Sequence, residues 1–141
     1  MLALSEKEKV NALNEVRLLA SVKHPNIVQY KESFFDEQSQ CLCLVMEYAD
    51  DGDLNQKITE HARRGTNFTN EQIISIVSQM VLGLKALHDS KICHRDLKCA
   101  NIFLTSKGEA KLGDFNVSKV LHRGMLHTQT GTPYYASPEV W

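Results

Sequence analysis

Four polar residues in the second half of the chain could together carry out one kind of chemistry. They are two aspartates, a lysine and an asparagine: Asp96, Lys98, Asn101 and Asp114. Transfer of a phosphoryl group needs a carboxylate to orient the attacking hydroxyl, a cation to stabilise the developing charge, and oxygen ligands for Mg²⁺. Carboxylate and amide oxygens suit Mg²⁺ better than thiolate or imidazole groups do. The set therefore predicts a magnesium-assisted phosphoryl-transfer site.

These residues lie within an ordered series of motifs. Residues 94–101 have the sequence HRDLKCAN, which matches the catalytic-loop pattern H-R-D-L-K-x-x-N at all six specified positions. Residues 114–116 (DFN), 131–135 (GTPYY) and 137–139 (SPE) follow in the places of the D-F-G motif, the substrate-side loop and the A-P-E motif. On this series the chain resembles the eukaryotic protein kinases along essentially its whole length. The chain has no Walker or Rossmann glycine pattern that would favour a nucleotide-binding protein of another fold.

The resemblance implies a role for each of the four polar residues. Asp96 would be the catalytic base, and Lys98 would stabilise charge on the transferred phosphoryl group. Asn101 and Asp114 would hold Mg²⁺ against the phosphates of ATP. ATP and Mg²⁺ are therefore the expected cofactors.

The resemblance also implies which residues contact ATP. They are the gatekeeper, two hinge residues, the side chain beneath the adenine ring, and a helix glutamate that pairs with a strand lysine: Met46, Glu47, Ala49, Phe103 and Glu15. A stacked spine that links two lobes is implied for four residues: Leu19, Tyr30, His94 and Phe115. Apart from the resemblance, Leu19, Phe103 and Phe115 could be plain core residues. Glu15 could equally be a solvated side chain.

Two residues indicate the class of protein substrate. Lys98, two positions after Asp96, is typical of serine/threonine kinases, and Thr132 resembles the threonine that contacts the catalytic residues in that class. The expected partners are therefore proteins with Ser or Thr hydroxyls. Within the class, residues 23–28, residues 45–48 with 52–54, and residues 112–135 resemble the NIMA-related (Nek) kinases.

Regulation is implied by Arg95, which directly precedes the catalytic Asp96. In the family such an arginine marks control by phosphorylation, since its guanidinium can bind a phosphate through two hydrogen bonds. The candidate acceptors are three threonines: Thr128, Thr130 and Thr132. Thr128 best matches the activating position and Thr132 the structural one, although Thr128 could also be an ordinary surface residue.

Two positions depart from the family pattern. Asn116 replaces the D-F-G glycine, and asparagine is the residue that best tolerates the left-handed backbone region that glycine allows. Cys99 replaces a common proline of the catalytic loop. A small packed residue is the favoured interpretation of Cys99, with a redox-sensitive thiol as the alternative.

Parts of the family domain are expected outside the 141 residues. The glycine-rich phosphate loop and strand lysine would precede Met1, and the helical remainder of the C-terminal lobe would follow Trp141. We therefore expect a fragment that exposes apolar surface, has poor solubility in isolation and does not turn over. The favoured function is a serine/threonine protein kinase. The alternative is a truncated pseudokinase or scaffold that binds partners without catalysis.

Composition excludes several other classes. The chain is 43% apolar and 23% charged, and 16 Lys and Arg against 17 Asp and Glu give a net charge of −1. That balance argues against a nucleic-acid partner. The longest apolar run, Cys41–Met46, is too short for a membrane span, and residues 6–9 are too charged for a secretory signal. A cytoplasmic, cytoskeleton-associated or nuclear location is expected.

The four cysteines are then expected to be free thiols. A zinc site that uses Cys41, Cys43, Cys93 and Cys99 is disfavoured, since their spacing is not that of a common structural zinc site. Cys41 and Cys43 would instead share one face of a buried strand.

Apolar periodicity and capping signals predict the elements that carry the motifs. They are a helix over 6–22, a hairpin of strands 27–35 and 41–48, a helix from 54 to about 64 closed by Gly65, a capped helix over 70–89, a small hairpin of 102–104 with 110–112, and a long loop from 113. The strand after Cys41 is apolar throughout, as expected of a central strand covered on both faces.

The expected fold class is α+β, an incomplete two-lobed protein-kinase-like fold. Residues 1–49 would form part of the N-terminal lobe, with helix C, strands 4 and 5 and the start of the hinge. Residues 50–141 would form part of the C-terminal lobe, from helices D and E to the activation segment. The turn at 50–53 is the candidate boundary.

Overall fold

The computed structural model describes residues 20–36, 38, 41–113, 119–120 and 135. In chain order its elements are β1 (Tyr30–Asp36), β2 (Cys41–Met46), α1 (Leu54–Arg64), α2 (Asn70–Asp89), β3 (Ile92–Cys93), a 3₁₀ turn (Cys99–Asn101), β4 (Ile102–Leu104), β5 (Ala110–Leu112) and β6 (Lys119–Val120). The mixture of helix and sheet is the predicted one. The expected first helix lies outside the described residues up to position 19, and Ala20 is helical.

The predicted hairpin of β1 and β2 is present. The two strands pair antiparallel with Asp36 opposite Cys41 and Tyr30 opposite Met46, and a bulge interrupts the register near Tyr30. The prediction that β2 is covered on both faces is wrong for Leu44 and Met46, which are 40% and 47% exposed. In the described part of the chain β2 pairs with β1 alone, so its apolar sequence does not imply a central position.

Helix α1 ends at the predicted Gly65, and helix α2 begins at its predicted capping box. The Asp53 side chain accepts the Gln56 N–H at the start of α1, and Gly65, with φ of 63°, ends it. Thr69 and Gln72 form the predicted capping box of α2: each side chain accepts a hydrogen bond from the backbone N–H of the other residue. Local sequence therefore determines both helices.

The described core lies where α2 packs on the hairpin of β4 and β5. Leu87 of α2, Leu112 of β5 and Ile92 of β3 have no exposed surface, and Ile102 is 2% exposed. Burial of each such side chain stabilises the fold by about 1.5–3 kcal/mol. The hairpin therefore rests on a helix that is itself fixed by strong caps.

Residues 26–28 run beside β5 rather than joining β1 as predicted. The Leu112 N–H donates to the Asn26 carbonyl at 2.9 Å, and the Val28 N–H donates to the Leu112 carbonyl at 2.8 Å. The Asn26 side chain donates to Gln79 Oε1 and to the Ala110 carbonyl, at 2.9 and 3.0 Å. These bonds draw the chain away from β2 and explain why β1 starts at Tyr30.

The turn at 50–53 is also tied to the β4–β5 hairpin. The Asp50 carboxylate accepts the Ser106 backbone N–H at 2.8 Å and the Ser106 hydroxyl at 2.7 Å. The Asp51 N–H donates to the Leu104 carbonyl, and the Leu104 N–H donates to the Gly52 carbonyl. The chain that leaves β2 is thus held against the C-terminal end of β4 and against the turn that follows it.

One strand pairing was not predicted. β3 pairs antiparallel with β6, with Ile92 opposite Val120 and Cys93 opposite Lys119. The sequence predicts a long loop at β6, because two residues cannot show a periodicity. Only the tertiary pairing defines this strand.

Large apolar side chains are exposed on both parts of the described chain, as expected. They include Phe34, Leu44, Met46 and Tyr48 before the turn, and Ile58, Ile73, Ile74, Val77, Val81 and Leu82 after it. The expected poor solubility of the isolated chain stays a prediction.

Replacement of Gly83 by alanine tests the contact between α2 and residues 26–28. An added Cβ would lie 2.7 Å from the Asn26 carbonyl oxygen and 3.0 Å from a Leu112 methyl carbon. We expect Gly83→Ala to destabilise the protein by about 1–3 kcal/mol in urea unfolding, since overpacking outweighs the helical preference for alanine. Ser78→Ala, at an exposed position of the same helix, should be neutral or stabilising. A stabilised Gly83→Ala protein would contradict the packing.

Candidate active site

The candidate site is built on the loop between β3 and the 3₁₀ turn, and a buried histidine begins it. His94 is 2% exposed, and its Nε2 donates to the Gly113 carbonyl at 3.0 Å. Its Nδ1 accepts the Asp96 backbone N–H over a longer 3.4 Å. Since a carbonyl only accepts, Nε2 carries a proton in this hydrogen bond. The ring therefore bridges the loop to the residue after β5.

Three of the predicted site residues come together at one carboxylate. Lys98 Nζ lies 2.8 Å from Asp96 Oδ2, and Asn101 Nδ2 donates to the same oxygen at 3.1 Å. Asn101 is 3% exposed, and its amide also donates to the Asp96 backbone carbonyl at 2.8 Å. A cation and an amide thus hold the carboxylate in one orientation.

The loop has an unusual backbone at Arg95, where φ is 66°. A non-glycine residue in this region costs roughly 1–2 kcal/mol. Such strain persists only where neighbouring bonds over-determine the conformation. Here the flanking His94 and Asp96 are both fixed, by Gly113 and by Asn101.

Gly113 is a residue that the sequence analysis did not single out. Its N–H donates to the Asn101 carbonyl at 3.0 Å, and its own carbonyl accepts from His94. A Cβ at this position would lie 2.7 Å from the Phe103 ring and 3.0 Å from Val28. Only glycine permits this approach, and a glycine directly after a strand pattern was the available signal.

The segment after β2, which is the predicted hinge, is fixed by a neighbouring backbone and by an ion pair. The Glu47 N–H donates to the Gln29 carbonyl at 2.7 Å, and the Gln29 N–H donates to Glu47 Oε2 at 3.1 Å. Glu47 Oε1 lies 3.0 Å from Lys111 Nζ. Since the Glu47 N–H is already bonded, its carbonyl oxygen is the backbone group that this residue could offer to a ligand. Ala49 is partly buried beside it.

The same contacts shift the acidity of Glu47. Burial alone would raise the pKa of this carboxyl. The hydrogen bond and charge of Lys111, the Gln29 N–H and the charge of Lys31 outweigh burial and hold the pKa below its usual 4.5. Glu47 is therefore ionised across the neutral range.

The chemistry of Asn101 fits a magnesium ligand. Its amide nitrogen is engaged by Asp96, so the atom it can offer a cation is the amide oxygen, which is the type that Mg²⁺ prefers. Across the described ranges no cluster of three or more His, Cys, Asp and Glu side chains could hold a metal ion.

Cys43, Cys93 and Cys99 are free thiols. The described segments also contain no helix with the length and apolar character needed to cross a membrane.

Some predicted residues lie outside the described part of the chain. They are Glu15, Leu19, Asp114, Phe115, Asn116, Thr128, Thr130 and Thr132. Of the predicted spine, Tyr30 donates its hydroxyl to Ser33 at 2.8 Å and His94 is buried. The structure therefore brings Asp96, Lys98 and Asn101 together, and it separately places Glu47 against Gln29 and Lys111.

The model of the protein kinase domain matches residues 2–141 of the sequence. The chain belongs to the protein kinase family. A chain of the yeast RNA Pol II CTD kinase CTDK-1 complex has a similar structure, with a TM-score of 0.82 and 30% sequence identity over 99% of this chain and 44% of that one. The predicted α+β kinase-like fold is confirmed.

Curated relatives confirm the predicted likeness to Nek kinases. Serine/threonine-protein kinase Nek1 of Mus musculus is 48% identical over 139 residues, which is 97% of this chain and 11% of the relative. Nek5 of Mus musculus is 50% identical over 95% of this chain and 21% of its own length. Nek2 of Homo sapiens is 39% identical over 97% of this chain and 32% of its own length. The chain thus spans about a tenth to a third of the length of these relatives.

The lowered pKa of Glu47 predicts how the stability of the protein depends on pH. Because the folded pKa lies below 4.5, ionised Glu47 stabilises the protein above that pH, and the stabilisation is lost as pH falls through the lowered pKa. At pH 7 we expect Glu47→Gln to lower the free energy of unfolding by about 1–3 kcal/mol. The difference from wild type should shrink in acid. Glu32→Gln, on the exposed part of β1, is the control. A pH-independent difference would contradict the charged interaction.

Proposed function

We propose that the protein is a serine/threonine protein kinase that transfers the γ-phosphate of ATP to Ser and Thr hydroxyls of protein substrates. The observation that carries this proposal is the Asp96 carboxylate held by Lys98 and Asn101, at 2.8 and 3.1 Å. Asp96 would orient the substrate hydroxyl and accept its proton. Lys98, already beside the carboxylate, would stabilise charge on the phosphoryl group in transit.

In this proposal adenine binds between two lobes, residues 1–49 and 50–141. The hinge and the β4–β5 hairpin form the binding site. The Glu47 carbonyl and the Ala49 backbone would bond the ring edge, Met46 would limit its depth, and Phe103 would lie beneath it. Gly113 supports the last assignment, because it lets the Phe103 ring lie against the backbone. Glu15 is proposed to pair with a lysine that positions the phosphates.

Asn101 and Asp114 are proposed to hold Mg²⁺. When bound, the ion would neutralise negative charge on the phosphates of ATP. The chain's own contribution is geometric: the 3₁₀ turn ends at Asn101, whose amide donates to Asp96 in the preceding loop, so the proposed metal ligand and base are one hydrogen bond apart.

Replacement of Asp96 tests the proposed chemistry. In the protein expressed from its complete open reading frame, Asp96→Asn keeps the shape and removes the base. We expect phosphate transfer to dephosphorylated casein to fall by roughly 10²–10⁴-fold while Mg·ADP binding in calorimetry is unchanged. Asp89→Asn, on an exposed helix end, should keep full activity.

Two outcomes would contradict the proposal. An unchanged rate for Asp96→Asn would show that Asp96 is not the base. A wild-type protein that binds protein partners but neither binds Mg·ADP nor transfers phosphate would favour the scaffold function instead.

Phosphorylation of Thr128 is proposed to activate the enzyme by pairing with Arg95. A phosphate bound by the guanidinium gains one to three charge-assisted hydrogen bonds. We expect Thr128→Ala to lower the activity of the phosphorylated protein roughly tenfold, the equivalent of one such bond. Thr130→Ala and Thr132→Ala separate the neighbouring positions. Equal activity of wild type and Thr128→Ala would contradict this role.

A further inference from the structure

We propose that Lys111 is a positioning residue for ATP. Through its ion pair with Glu47 it holds the hinge backbone in the position from which the Glu47 carbonyl would bond adenine. The inference rests on the proposed function, because the adenine site is part of that function. It assigns a role to a residue of β5 that no sequence motif marked.

Lys111 is a buried cation with acceptors on three segments of the chain. The residue is 5% exposed. Its Nζ donates to the Pro25 carbonyl at 2.8 Å and lies 3.0 Å from Glu47 Oε1 and 3.7 Å from Glu109 Oε2. A buried lysine is unfavourable unless it is paired and hydrogen-bonded. The ammonium therefore holds these segments at fixed distances from β5.

Glu47 is the point at which this network meets the hinge. One carboxylate oxygen contacts Lys111 and the other accepts the Gln29 N–H at 3.1 Å. The Glu47 N–H is held by the Gln29 carbonyl at 2.7 Å. With the backbone and both carboxylate oxygens bound, the direction of the Glu47 carbonyl is determined by partners outside the hinge itself.

The β4–β5 hairpin places the hinge anchor beside the proposed adenine floor. Lys111 and Phe103 are directly opposite each other in the ladder, and Gly113 lies two residues beyond Lys111 on the same face. Directly opposed residues in a ladder keep their Cβ atoms about 5 Å apart. A single rigid hairpin thus sets the floor of the pocket through Phe103 and its edge through Lys111 and Glu47.

A purely structural role for Lys111 makes a different prediction. If Lys111 only stabilises the fold, its loss should lower the melting temperature and leave nucleotide affinity unchanged in the folded protein. If it positions the hinge, its loss should weaken nucleotide binding and increase amide exchange at residues 47–49. The affinity for the protein substrate should be unaffected, since in the described part of the chain the Lys111 ammonium contacts Pro25, Glu47 and Glu109, which lie outside residues 94–101.

The test uses Lys111→Met in the protein expressed from its complete open reading frame. Methionine keeps much of the apolar stem and removes the charge. We expect the Kd for Mg·ADP and the KM for ATP to rise on the order of tenfold, the loss of one or two hydrogen bonds to charged groups. The kcat and the KM for casein should change less than about twofold on the same scale. Hydrogen exchange at residues 47–49 should be faster.

Matched variants isolate the ion pair. Lys107→Met, at the exposed turn of the same hairpin, should leave all of these values unchanged. Glu47→Gln should reproduce the loss of affinity. The double variant should be no weaker than either single one, because both remove the same interaction. Glu47→Gln also carries the test if Lys111→Met does not fold.

Three other outcomes would contradict the positioning role, its route through Glu47, or the proposed function. Unchanged Mg·ADP affinity in folded Lys111→Met or Glu47→Gln protein would overturn the positioning role and leave a structural one. Additive losses in the double variant would show that Lys111 does not act through Glu47. A wild-type protein without Mg·ADP affinity would instead contradict the proposed function itself.

Discussion

The hydrogen bonds of the β4–β5 hairpin hold the separate parts of the candidate site in one frame. Leu112 exchanges backbone bonds with Asn26 and Val28 on one side of the hairpin, and Leu104 bonds the turn after the hinge on the other. Lys111 anchors Glu47, and the glycine that follows β5 receives the imidazole of the catalytic loop. The hairpin can do this because helix α2, which begins at a capping box, packs against it. Loss of the hairpin would therefore separate the loop from the hinge.

The residues that are close in sequence were predicted well. Residues 94–101 matched the catalytic-loop pattern, and a short loop with its 3₁₀ turn is enough to bring Asp96, Lys98 and Asn101 together. Helix α2 was predicted over 70–89, because its capping box and its apolar periodicity both depend on residues three or four apart. In these segments the structure depends on residues that are near each other in sequence, so the sequence pattern is enough to predict it.

The contacts that depend on distant segments could not be predicted in this way. The burial of Lys111 depends on Pro25 and Glu47, which lie far from it in sequence, and lysine ordinarily indicates an exposed position. The apolar run of β2 suggested cover on both faces, but residues 26–28 pair with β5 instead, and Leu44 and Met46 remain partly exposed. The β3–β6 pair has no sequence pattern at all, since two residues on each side are defined only by their partner. Roles for Asp114, Thr128 and their neighbours come from family resemblance alone.

The pairing of residues 25–28 with β5 has a consequence for synthesis of the chain. The hydrogen bond from Asn26 to Ala110 closes a separation of 84 residues, and that from Lys111 to Pro25 closes 86. At a ribosomal rate of about 5–20 residues per second, the first of these segments waits roughly 4–17 s for its partner to be made. During that interval α1 and α2 can form, since their capping hydrogen bonds are local. The Asn26 carbonyl and the Val28 amide meanwhile remain hydrogen-bonded to water. The order of translation thus favours formation of the helices before the strand beside β5.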